Sequence, residues 1–270
     1  MPEIAEVKLT SEFIDSYANT QFVKLEKSLV SKVKTDLSLM HFTKFVVRSN
    51  SRGKELTIDF FDITEVQEPM KLKVTLGMSG AWVYFNPSNP EYAKYLKHCH
   101  LKLIDTKGWI LGLYDVRRFA KWSWSDFNKS RGPCPISQEQ LFIDLIKGNW
   151  KTHNHFKNQK LSEILMNQKW FNGVGNYLRA EILYRLDINP FQSASLLTET
   201  QIDHLIQLTL SCCKTAYLLG GGQLKNWVNP NGEDPQSFNE WIKCYGRLDK
   251  TIDATGRTFW YDPKWNTFRS

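Results

Sequence analysis

The sequence predicts an α+β protein: an N-terminal helix, a strand-rich first half folded as a β-sandwich, and a helical second half that returns to strands at its end. Three observations carry this. Ile4, Val7, Ile14, Tyr17 and Ala18 recur on one helical face. From about Thr20 to Trp124, short alternating runs follow one another with turn residues between them. Beyond the polar, Gly- and Pro-bearing stretch DFNKSRGPCP (126–135), which reads as a linker, the period becomes helical.

Taken in order, the first helix opens at MPE, with a proline tolerated in the first turn and Glu3 suited to the positive end of the helix dipole. FTKFVVR (42–48) and ELTIDFF (55–61) flank SNSRGK as one hairpin. HLKLID (100–105) and WILGLY (109–114) flank the turn 106–108 as another, and KLKVTL (71–76) alternates polar and apolar residues. SQEQLFIDLIK (137–147) begins with a capping-box pattern, Ser137 with Glu139 or Gln140. Helical patterns also cover 159–168, 175–185 and 198–219, and TIDATGRTFWYD reads as a last hairpin around Thr255 and Gly256.

A chain of 270 residues can bury two cores. The net charge of +7 points to a polyanionic partner. Five cysteines form no disulfide framework and fit a reducing interior. No apolar run is long enough for a membrane span and no leader pattern precedes the first helix, so the sequence predicts a soluble, intracellular protein.

Two stretches carry chemistry. Removal of Met1 leaves Pro2 as a secondary amine beside the Glu3 carboxylate, either an ordinary helix start or a nucleophile. In QKWFNGVGNYLRAEILYRLDINPF (168–191), Gly173 and Gly175 break one helix and Asn176 suits the N-cap of the next. A helix start with open N–H groups is an anion site, most naturally for phosphate, and otherwise a plain helix–helix turn. His98-Cys99-His100 has no distant partner pair for a metal and reads as strand or loop.

The second stretch resembles the helix–two-turn–helix motif of the Fpg/Nei family of DNA glycosylases, and GVGNYLRAEILYRL is most similar to its zincless, Nei-like branch. MPEIAEV, LGMSG (76–80), DVRRFA (115–120), GGGQLKNW (220–227) and CYGR…GRTFW (244–260) extend the resemblance over nearly the whole chain. It implies an N-terminal catalytic and β-sandwich domain over 1–125, a linker over 126–136, a helical domain over 137–243 and a zincless-finger hairpin over 244–270.

The resemblance also implies roles. Pro2 would form a Schiff base with the sugar of a damaged nucleotide, with Glu3 moving protons and Glu6 in the lesion site. Lys54 would touch phosphate and assist base removal. Asn176 and Arg257 would clamp phosphates, and Met78, Arg117 and Phe119 would fill the void left by the extruded nucleotide; by residue type alone, Met78 and Phe119 fit a strand core equally well. The run 220–222 resembles a loop over the damaged base. The activity implied is a bifunctional glycosylase and abasic-site lyase acting on oxidised pyrimidines and hydantoins, as a monomer without cofactor, wherever DNA is kept. Rival readings are a catalytically silent nucleic-acid binder and a glycosylase using another amine, such as Lys54.

The sequence departs from the zinc-binding members. Cys244 is the one cysteine after Cys213 and no histidine follows His204, so four metal ligands cannot be assembled at the hairpin. Ala5, Val116 and Ala120 replace a usual proline, proline and glycine, changing backbone stiffness but no reactive group.

Overall fold

A computed structural model describes residues 2–222, 227–232 and 234–268. Met1 and the 223–226 part of GGGQLKNW lie outside the described residues. The chain divides into two compact units. The first comprises Met1–Pro2, Glu6–Phe127 and Gly222–Glu233; the second comprises Glu3–Ala5, Asn128–Gly221 and Asp234–Ser270.

Helix α1 (Ile4–Asp15) ends before Tyr17 and Ala18, which sit in the turn that follows. It is buried over more than one stripe, with Glu6, Thr10 and Ser11 enclosed alongside Ile4, Ala5, Val7 and Ile14. Eight strands complete the first unit: β1 (Phe22–Lys27), β2 (Phe45–Arg52), β3 (Glu55–Asp62), β4 (Met70–Thr75), β5 (Ala81–Phe85), β6 (Cys99–Asp105), β7 (Ile110–Tyr114) and β8 (Lys121–Trp124). They form one antiparallel ladder in the order β5-β7-β6-β1-β2-β3-β4-β8. Its middle junction, β1 to β2, is a single residue pair, Phe22 with Phe45. The ladder is therefore two four-stranded layers hinged at one point, the sandwich the alternating runs predict. Inward-facing residues of both layers, including Phe22, Phe45, Phe60, Val74, Trp82, Leu103, Leu113 and Trp122, share one buried cluster with Val7 and Ile14 of α1.

The strand run is interrupted, contrary to expectation, by a 3-10 turn (Pro90–Tyr92) and helix α2 (Ala93–His98). Asn89 caps that turn by accepting from the Glu91 N–H, and Pro90 follows it. The β2–β3 turn is also tighter than the sequence suggests. Pairing runs through Arg52 and Glu55, and only Gly53, at φ 60°, and Lys54 remain to turn the chain.

In the second unit, α3 (Glu139–Asn149) lacks the predicted capping box. Its N-cap is Gln138, whose side chain accepts from the Cys134 N–H instead. A capping box does form where none was expected, between Thr198 and Gln201 at the start of α7 (Glu199–Leu218). The helix predicted over 159–168 is reduced to α5 (Leu161–Ile164), after α4 (Asn154–Lys157). The carbonyls of Pro190 and Gln192 take the backbone donors at its start, anchoring a short turn. Helix α6 (Asn176–Leu186) is buried along most of its length, Arg179 and Glu181 included. Helix α8 (Gln236–Trp241) then leads to the terminal hairpin of β9 (Asp249–Ile252) and β10 (Thr258–Tyr261).

Candidate active site

Pro2 is buried immediately before α1. The Glu3 side chain extends beyond its own helix. It reaches the start of α6, where Oε2 accepts from the N–H groups of Gly175 (2.7 Å) and Leu178 (3.3 Å) and Oε1 from that of Tyr177 (2.9 Å). The N-cap of α6 is Gly175 rather than Asn176, with no side-chain cap of its own. The anion expected at this helix start is thus partly supplied by the chain itself. The Ile4 N–H bonds the Gly173 carbonyl alongside, fixing the residue after Glu3 against the same turn. Among the described residues, the Asn176 N–H is left without an acceptor.

The Asn176 amide donates to the Thr258 carbonyl at 2.7 Å, next in sequence to the exposed Arg257. The two expected phosphate clamps therefore meet. What joins them is Arg179, which the sequence reading missed. Its guanidinium is 0% exposed and pairs with Asp253 at 2.7 Å. It also donates to the Ser162 carbonyl and to the Asn176 side-chain oxygen, and lies 4.7 Å over the Phe259 ring. Burial lowers the Arg179 pKa, against the pull of Asp253. Asp253 in turn accepts the N–H groups of Thr255 and Arg257, shaping the turn that presents Arg257. Glu181, two residues further along α6, accepts the N–H groups of Lys243, Cys244 and Tyr245 and so holds the approach to the hairpin.

Burial opposes ionisation of Asp253, but hydrogen bonds from Thr255, Arg179 and the backbone outweigh it and bring the carboxyl down to about 2. A folded-state pKa below the unfolded value contributes stability that is complete above about 4 and lost as pH falls through about 2. Thermal unfolding across a pH series should accordingly show the stability difference between wild type and Asp253→Asn shrinking between about pH 4 and pH 2. A constant difference would mean that this carboxylate does not hold the turn.

In the first unit, Met78, Arg117 and Phe119 come together on two adjoining turns. Met78 and Phe119 are each 44% exposed, which rules out the strand-core role their residue types allowed. The Arg117 guanidinium lies 4.7 Å over the Phe119 ring. Asp115, buried, organises both turns: it accepts the N–H groups of Arg117, Phe119 and Ala120 and the hydroxyl of Ser79. Gly77, at φ +62°, packs so closely that a Cβ there would lie 2.5 Å from the Phe119 carbonyl carbon. Gly77→Ala should lower stability by about 2 kcal/mol and weaken binding to DNA carrying an abasic site. Calorimetry and fluorescence anisotropy would check this, and unchanged values would mean that the contact is dispensable.

Glu6 is fully buried, and its Oε1 accepts the Gly222 N–H at 2.7 Å. One turn along α1, Thr10 accepts the indole N–H of Trp227. Gly222 and Trp227 are thereby both tied to α1. Lys54 sits half-buried in the β2–β3 turn. Among the described residues, no group of three His, Cys, Asp or Glu side chains could hold a metal ion, and no helix is long and apolar enough to cross a membrane.

Comparison with known proteins matches this geometry to a family. Residues 1–122 match the formamidopyrimidine-DNA glycosylase N-terminal domain, and residues 134–227 match the formamidopyrimidine-DNA glycosylase H2TH domain. The chain is 30% identical to human Endonuclease 8-like 1 over 97% of its own length and 72% of the relative's. The chain belongs to the Fpg/Nei family of DNA glycosylases. It is also 30% identical to the formamidopyrimidine-DNA glycosylase of Haemophilus ducreyi, over 95% of this chain and 91% of that one. The crystal structure of MutM (Fpg) from Thermus thermophilus shares the fold, with a TM-score of 0.75, 21% identity and 98% of each chain covered. A Lactococcus lactis Fpg mutant in complex with Fapy-dG-containing DNA gives a TM-score of 0.78 at 23% identity, over 98% of this chain and 99% of that one. As a member of the Fpg/Nei family the protein is a DNA glycosylase of base excision repair, with affinity to the Nei-like branch.

Proposed function

We propose that the protein is a bifunctional glycosylase and abasic-site lyase that excises oxidised bases, chiefly oxidised pyrimidines, through a Schiff base on Pro2. The observation that carries the reading is the clamp on Glu3: three N–H donors of one helix start hold the residue next to Pro2 in a fixed position. Binding DNA needs no terminal amine, and a fixed carboxylate one residue from such an amine is an arrangement for proton transfer.

With Met1 removed, the Pro2 nitrogen attacks the deoxyribose C1′. The bond to the base breaks and the base leaves with a proton; the C1′–O4′ bond then opens, O4′ takes up a proton, and the amine becomes an iminium. The iminium acidifies C2′–H. Loss of that proton expels the 3′ phosphate, and a second elimination expels the 5′ phosphate. Glu3 moves protons during ring opening and elimination, and Lys54 contacts a backbone phosphate. Asn176, through its open N–H, and Arg257 hold phosphates of the kinked strand, while Met78, Arg117 and Phe119 occupy the void in the duplex. Glu6 lies at the lesion, where it accepts the Gly222 N–H. Similarity to the Nei-like branch favours thymine glycol and hydantoins over 8-oxoguanine.

The test is borohydride reduction during reaction with an abasic duplex, followed by mapping of the adduct. An adduct on a peptide beginning at Pro2 is the expected result. An adduct on Lys54 would assign another nucleophile, and no adduct at all would leave a DNA binder.

A further inference from the structure

The first unit contains a cavity that the chemistry above does not use. A cavity of about 550 Å³ opens between the end of α1, β5, α2 and β7, a size within the usual range for ligand pockets. Five of the chain's ten tyrosines, Tyr17, Tyr84, Tyr92, Tyr95 and Tyr114, line it together with Lys94. Several pack ring against ring, with Tyr17 and Tyr84 centroids 4.3 Å apart and Tyr95 and Tyr114 at 5.2 Å. The Tyr84 hydroxyl is spoken for by Asp105. Those of Tyr17, Tyr92, Tyr95 and Tyr114 donate to no other described residue. Among the described residues no Asp or Glu lines the cavity, and the Lys94 ammonium lies 5.0 Å over the Tyr95 ring at its edge.

This lining states what it accepts. Broad π-faces suit a flat, aromatic ligand. Hydroxyl donors without a protein acceptor suit ring carbonyls and ring nitrogens. A cation without a carboxylate beside it suits an attached anion. Burial raises the pKa of Tyr17 and Tyr114, and burial together with the Asp105 bond raises that of Tyr84 further, so these hydroxyls stay protonated donors. Position names the source of such a ligand. Ser79 and Val116, on the cavity wall, adjoin in sequence Met78 and Arg117, two of the residues proposed to fill the void in the duplex.

We propose that this cavity binds an unpaired nucleobase of the DNA strand, stacked on the tyrosines with its phosphate toward Lys94, giving the enzyme a hold on single-stranded DNA separate from the Pro2 site. The inference rests on the reading of the protein as a DNA glycosylase, but not on the identity of its nucleophile.

The test uses the full chain and four measurements. A thymidine dodecamer and an undamaged duplex of equal length are titrated by anisotropy into wild type, Tyr92→Ala/Tyr95→Ala and Lys94→Glu. Single-strand affinity should fall about fivefold or more for the double variant, the loss of roughly one stacked base. Duplex affinity and borohydride trapping on an abasic duplex should change less than about twofold. An unchanged single-strand affinity, or an equal loss on duplex, overturns the proposal. Photo-crosslinking of wild type with a 5-iodouracil-bearing single strand should label the segments around Tyr84, Tyr92 and Tyr95, and labelling confined to other segments overturns it without relying on any variant. Thymidine 5′-monophosphate at millimolar concentration should not displace the strand. Displacement would assign the cavity to free nucleotides instead. Should wild type fail to trap while the single-strand loss persists, the Pro2 assignment falls and this one stands.

Discussion

A single residue left ahead of Pro2 should abolish base excision and strand nicking together, by about 1,000-fold or more, while leaving DNA affinity within severalfold of wild type. An amide nitrogen has no lone pair free for attack on C1′, so one blocked atom removes both steps. Glu3 makes the experiment sharp. Its carboxylate is held by the N–H groups of Gly175, Tyr177 and Leu178, and an extension ahead of Pro2 removes none of these three donors. The comparison is between protein with a free Pro2 and protein carrying an uncleaved extension, each assayed for released base, nicked strand and binding to an uncleavable abasic analogue. Retained nicking by the extended form would remove Pro2 from the mechanism. A parallel loss of affinity would show instead that the extension blocks DNA.

Arg179→Met should produce the largest change in stability. Removing one member of a buried ion pair leaves the other charge enclosed, at a cost of about 3–5 kcal/mol. In a protein of this size that corresponds to a fall in Tm of order 10 °C. The substitution also removes the donor to the Asn176 side-chain oxygen and unpins the Asp253 turn, so on the proposed function affinity for DNA should fall about tenfold through Asn176 and Arg257. Pairing it with Asp253→Asn removes the stranded charge and should recover at least half of the lost stability, a non-additivity that a double-mutant cycle reads directly. Strict additivity would mean that the two groups do not act as a pair.

Much of the fold was legible because the strands alternate. Residues 71–76 show their buried face without any partner in view, and the terminal hairpin announces itself through Gly256. Short helices were less legible. Residues 159–168 carry a helical pattern, yet Leu161 and Ser162 bond to carbonyls at 190 and 192, and tertiary contacts overrode the local preference. The site followed the same division. Candidate residues could be named from motifs, but their partners lie far along the chain: Glu3 meets Gly175 across 172 residues and Arg179 meets Asp253 across 74. Arg179 sits in an ordinary helical run, and no local pattern marks it as enclosed. Asp115 left a faint signal, a carboxylate directly after a strand and ahead of a polar turn, which suits a loop organiser.

The Arg179–Asp253 pair has a consequence for protein engineering. Two strands of four residues each cannot persist alone in water, and here their anchor is a guanidinium rooted in a distant helix. The C-terminal finger is therefore not a portable cassette. Transplanted onto another scaffold without α6 it should melt, whereas a graft that carries helix and hairpin as one piece should keep its shape.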